Sequence, residues 1–95
     1  MTEKQSSFPA TVDEAVRLLT DLVPDDEQAG IAALLEADLV DLHFGLGKWV
    51  RNNLGLWDAD SVLLKTTGQT NADDTSDLIV RAFWQKLQDE LPKVH

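Results

Sequence analysis

There is no cysteine among the 95 residues. Disulfides, thiolate catalysis, zinc ribbons and iron–sulfur clusters are therefore excluded. Positive charge is scarce: 8 Lys and Arg against 17 Asp and Glu leave a net charge of −9. A nucleic-acid binder needs the opposite balance, because affinity for the phosphate backbone rests on Lys and Arg. Long apolar runs are missing too. None approaches the ~20 residues of a membrane span, and no apolar stretch of ~7–15 residues follows the polar opening Met1-Thr2-Glu3-Lys4-Gln5-Ser6-Ser7 as a secretory signal would require. No lipidation motif is visible. The expectation is a cytoplasmic protein that engages neither membrane nor nucleic acid. Apolar–polar alternation between hairpin turns is also absent, so strands are not expected. No repeat or low-complexity segment interrupts the chain, and its length suits one hydrophobic core.

What is present is helical periodicity. The polar arm 1–9 ends at Phe8-Pro9, and 10–91 reads as a single helical domain with a tail at 92–95. Thr11-Val12-Asp13-Glu14 has the form of a capping box, followed by Val12, Ala15, Val16, Leu19, Leu22 and Val23 at helical spacing. A first helix is expected over about 12–23, stopped by Pro24. Pro24-Asp25-Asp26-Glu27 starts a second, ending near Glu36, because acidic side chains complement a helix N-terminus. A third, central helix is expected over about 38–54, with Gly55 as its left-handed cap. Asp58 or Asp60 then caps a short helix from Ser61 to Thr66 that Gly68 ends. Asp73 or Asp74 caps the last, which runs to about Glu90. The predicted fold class is all-α, a small single-domain bundle of about five helices around the central one.

The central helix carries the unusual residues. At a uniform 100° per residue, Leu39, Leu42, Leu46, Trp49 and Val50 share an arc that also holds His43 and Asn53. Phe44 and Arg51 fall outside it with Lys48 nearby, and Asn52 lies on the far side. This wheel predicts Leu46 and Trp49 buried, with Trp57 and Trp84 packed beside them. It predicts His43 and Asn53 as buried, hydrogen-bonded polar groups. Gly45 and Gly47 each cost about 1 kcal/mol in a helix interior relative to alanine, so both are expected to mark a close approach of a neighbouring helix. Arg51 and Asn52 are expected to be exposed.

The stretch His43-Phe44-Gly45-Leu46-Gly47-Lys48-Trp49-Val50-Arg51-Asn52-Asn53-Leu54-Gly55-Leu56-Trp57 resembles the signature H-F-G-L-G-x-W-[I/V]-R-N-x-x-G-L-W of a family of small bacterial domains of unknown function. Asp38 to Leu42, the opening Phe8 to Ala15 and the acidic Asp73-Asp74 are similar to the family as well, so the resemblance spans roughly 8–88. Leu54 departs from it where an aromatic is common. The resemblance implies domain boundaries and brings no activity, cofactor or partner.

Two functions from different classes remain. The first is a non-enzymatic protein-interaction domain, immunity- or antitoxin-like. It would use the Phe44–Arg51 flank or the acidic first half, where residues 1–41 hold ten acidic and two basic side chains. The second is an anion or small-molecule binder, or a minor enzyme, built on His43, Arg51 and Asn52. The candidate binding residues are thus His43, Phe44, Lys48, Arg51 and Asn52. Gly45, Gly47, Trp49, Asn53, Gly55 and Trp57 are assigned to structure. No metal site is expected, because Asp58-Ala59-Asp60 lacks the rest of a calcium loop. No cofactor is expected either: Gly45-Leu46-Gly47 lacks the third glycine and the preceding strand of a dinucleotide fingerprint.

Overall fold

The computed structural model describes residues 8–58, 60–69 and 71–90. The predicted arm, apart from Phe8 and Pro9, and the tail 92–95 lie outside the described residues. Helix α1 (Val12–Leu22) opens at Thr11, whose Oγ1 accepts the Glu14 N–H at 3.1 Å. The Glu14 carboxylate accepts the Ala10 N–H at 2.8 Å. The expected capping box therefore forms, with its return bond reaching one residue before the cap. Pro24 turns the chain into α2 (Asp25–Ala32). Gln28 closes this corner by donating to the carbonyls of Thr20 and Val23, both at 2.8 Å. Those carbonyls belong to the end of α1, where intrahelical donors run out.

The central segment differs from the expected uniform helix over 38–54. The chain is helical from Glu36 to Asn53 but changes pitch twice. A 3₁₀ segment (Glu36–Leu42) passes into a π turn (His43–Gly47) and then into α3 (Lys48–Asn53). Three residues per turn advance the 3₁₀ segment by about 120° per residue, whereas an i→i+5 turn advances by less than an α-helix. A wheel drawn at 100° accordingly misplaces Trp49, Arg51 and Asn53 beyond the change, while Val50 is buried and Asn52 exposed as expected.

Gly55, at φ +75°, ends α3 in the left-handed conformation that its lack of a Cβ permits. Helix α4 (Val62–Thr67) is capped by Ser61, whose Oγ accepts the Leu64 N–H at 3.1 Å, and not by Asp58 or Asp60. Helix α5 (Ala72–Glu90) is capped by Asn71, whose Oδ1 accepts the Asp74 N–H at 2.8 Å, and not by Asp73 or Asp74. In both cases the cap lies one or more residues from the expected acid, since hydroxyl, amide and carboxylate oxygens all serve an N-cap.

Helix α5 is the spine. It touches α1, α2, α3, α4 and both unusual segments, and it buries Thr75, Ser76, Ile79, Val80, Phe83 and Leu87. The core against it comes from Leu19 of α1, Ala32 of α2, Val50 of α3, Leu54, Leu56 and Leu63. The architecture is all-α with five α-helices, and no strand occurs among the described residues. No helix among these residues is long and apolar enough to cross a membrane.

The tryptophans do not form the expected core. Trp49 is 38% exposed and Trp57 65% exposed. Trp84 is half-buried, and its Nε1–H donates to the Leu34 carbonyl at 3.0 Å, tying α5 to the end of the α2 region. Phe83 and the aliphatic residues fill the centre instead. The rim position leaves each indole N–H of Trp57 and Trp84 an acceptor, the Asn52 side chain and the Leu34 carbonyl.

Candidate functional site

Arg51 is 5% exposed, contrary to the expectation that it lies on an outer flank. A buried guanidinium needs acceptors, because desolvating an unpaired charge is prohibitive. It finds them on two sides. Nη1 donates to Ser76 Oγ at 2.9 Å, Nη2 donates to the His43 carbonyl at 3.1 Å, and Nε lies 3.3 Å from Asp73 Oδ1. Ser76 in turn donates its hydroxyl proton to the Asp73 carbonyl at 2.9 Å. The rigid fork of arginine thus joins the π turn to the first turns of α5.

His43 is half-buried in the same region. Its Nδ1 lies 3.0 Å from Asp77 Oδ1, and its ring meets Phe44 edge-to-face at a centroid distance of 4.8 Å. The expectation of a hydrogen-bonded histidine holds, with a carboxylate of α5 as the partner. Asp73, Ser76 and Asp77 stand at i, i+3 and i+4, so they share one face of α5. Sequence reading took the acids of this stretch as helix-start charges and passed over Ser76. The available signal was the run Thr75-Ser76, two small polar residues between acids and an apolar stripe, both fully buried here.

The two glycines differ. A Cβ on Gly47 would stand 3.2 Å from Arg51 Nη1 and 3.3 Å from the Leu42 carbonyl oxygen, so this glycine makes room for the guanidinium. A Cβ on Gly45 would meet nothing within 4 Å. The expected close helix contact at Gly45 is therefore absent. Gly47→Ala should destabilise by about 1–3 kcal/mol through overpacking against backbone, whereas Gly45→Ala should stabilise by up to about 1 kcal/mol through helix propensity. Paired thermal melts check this, and a stabilised Gly47→Ala would show that the guanidinium does not need the space.

The remaining polar and aromatic residues of the motif are exposed. Asn53 is exposed, not buried, and donates to the Trp49 carbonyl at 2.9 Å. Asn52 is exposed as expected, and its Oδ1 accepts the Trp57 Nε1–H at 2.7 Å. Lys48 is exposed and forms no ion pair among the described residues. Phe44 is 81% exposed. Among the described residues, the stretch just before α1 does not cover Phe44. The Phe8 ring packs over Gly55 instead, 3.0 Å from where a Cβ would stand.

These features define a small all-α domain whose central motif turns the Arg51 guanidinium and the His43 carbonyl inward, as a clamp between an irregular helix and the helix that crosses it. The chain belongs to the family described as Domain of unknown function (DUF6794), which matches residues 8–87 and so contains the whole clamp. No curated protein and no solved structure matches it.

Proposed function

We propose that this chain is a non-enzymatic cytoplasmic domain that binds another protein. One observation carries the reading: Arg51, His43 and Asn52 of the motif are engaged within the chain, while its aromatics are presented. Arg51 has its nitrogens engaged by Ser76, His43 and Asp73, His43 faces Asp77, and Asn52 accepts from Trp57. Phe44, Trp49 and Trp57 are exposed. Trp49 and Asn52 are three residues apart on one face of α3, and Trp57 is bonded to Asn52, so these side chains form a continuous outer strip. Exposed aromatics of this kind anchor protein interfaces, where a few large rings carry most of the binding energy. The anion-binding or enzymatic alternative has less support, since Arg51 would have to leave Ser76 and the His43 carbonyl, and His43 would have to leave Asp77, before meeting a ligand.

The test is a capture experiment with the full chain on extract from the source cells, comparing wild type with a Phe44→Ser, Trp57→Ser double variant. Because both rings are exposed, the variant should melt within about 4 °C of wild type. Its recovery of any specific partner should fall by about tenfold or more. Undiminished recovery would refute the proposed surface.

A further inference from the structure

A groove of about 440 Å³ runs between the α1–α2 corner and the central segment. Leu19, Leu22, Ile31, Leu42, Leu46 and Trp49 line it. Leu22 and Trp49 are among the exposed large apolar residues of the chain, so the groove is an uncovered apolar surface that reaches the core at Leu19. Its volume lies within the range of clefts that accept several apolar groups, about 300–1,000 Å³. Gly45 also lines it, and the open space above that glycine belongs to the groove.

The charge around it has one sign. From Leu18 through Gly47, the stretch that supplies every lining residue except Trp49, there are seven acidic residues and no Lys or Arg. Glu27 lines the groove itself, and Asp21, Asp25 and Asp26 stand beside it at the α1–α2 corner. Of the seven, Glu36 pairs with Arg81, and the other six form no ion pair among the described residues. Only Arg17 and Lys48 flank the stretch with positive charge.

We propose that this groove seats a cationic amphipathic helix of a partner protein, with its apolar face against Leu22, Leu42 and Trp49 and its Lys and Arg residues against the acidic corner. The proposal rests on the interaction reading above and names the chemistry of the partner. A helix suits the site because an all-α domain offers no sheet edge for an added strand, while a groove between helices takes apolar anchors at i, i+3, i+4 and i+7. A second copy of this chain is a poor occupant, since its net charge of −9 would bring like charge to the acidic corner.

The test uses the full chain and a fluorescein-labelled model peptide of leucine and lysine, with the leucines on one helical face. Two controls have the lysines replaced by glutamate, or the same composition with the leucines dispersed around the helix. The facially amphipathic cationic peptide should bind about tenfold more tightly than either control, and its affinity should fall as salt is raised. Gly45→Leu adds bulk to the groove at a position where a Cβ meets nothing within 4 Å, and should weaken that binding by about tenfold while the thermal melt is retained. Leu22→Gln, at an exposed position, should weaken it in the same direction and serves if Gly45→Leu fails to fold. Val62→Ser, at an exposed apolar position of α4 outside the groove, should leave peptide binding unchanged. Equal binding of the dispersed peptide, or affinity unaffected by both groove variants, would overturn the proposal. So would a dimer in sedimentation that Gly45→Leu dissolves, because the occupant would then be a second copy. Failure of the peptide with partner capture still lost in the Phe44, Trp57 variant removes the groove and leaves the interaction reading standing. Loss of neither removes both.

Discussion

Arg51→Ala is expected to destabilise the domain by about 3 kcal/mol, a fall in melting temperature on the order of 10–20 °C for a chain of this size. Three contributions add. The guanidinium leaves a space beneath α5, because the side chain is 5% exposed. Ser76 Oγ and the His43 carbonyl lose their donor at 2.9 and 3.1 Å. The π turn loses its tie to α5. The ion pair with Asp73 adds little, since Asp73 is exposed to solvent and such pairs contribute about 0–1 kcal/mol. Arg51→Lys should recover little of the loss, because an ammonium cannot reach Ser76 and the carbonyl in a planar fork. Asp73→Asn should cost far less than Arg51→Ala. Urea and thermal unfolding of the three variants read the order directly. A shift below about 3 °C for Arg51→Ala would show that the clamp does not hold the fold, and would return Arg51 to the list of binding residues.

Phe83→Ala is expected to cost about 3–5 kcal/mol, a large share of the about 5–15 kcal/mol that a domain of this kind possesses. Phe83 has no exposed surface and sits on the apolar face of α5, packed among the other buried core residues. Trp49→Ala removes a larger side chain but one that already stands 38% in solvent. It should therefore cost clearly less than Phe83→Ala. The pair is a direct test of which aromatic is the core, to be read from urea midpoints at constant slope. A loss for Trp49→Ala equal to that for Phe83→Ala would mean that burial is not what separates them.

Much of the fold was legible in the chain. Thr11 and Glu14 announced the start of α1, Pro24 its end, and Gly55 and Gly68 the left-handed stops, because these signals act through neighbours within one turn. The apolar spacing of Ile79, Val80, Phe83, Trp84 and Leu87 marks a face of α5 that is buried except at the half-buried Trp84, for the same reason: that helix keeps one pitch throughout. His43 as a hydrogen-bonded residue was also legible, although Asp77 as its partner was not. The failures cluster where the pitch changes. Arg51, Trp49 and Asn53 all follow the 3₁₀ segment and π turn, and all three were assigned the wrong exposure. Gly45 was read as a packing contact on propensity alone, yet propensity measures only what a glycine costs and not what stands above it.

The sequence by itself determined the all-α class, the helix starts and stops, the absence of thiol chemistry and the acidic character of the first half. Each follows from composition or from interactions spanning a few residues. Only the tertiary structure decided that Arg51 turns inward while Phe44, Trp49 and Trp57 turn outward. The physical reason is that Arg51 is separated by 22 residues or more from Asp73 and Ser76, and these two acceptors meet it only once α5 has docked across the π turn. Before docking, a guanidinium is most stable in water. Afterwards a serine hydroxyl, a carbonyl and a carboxylate replace that water at fixed distances, and the arginine becomes a fastening inside the domain.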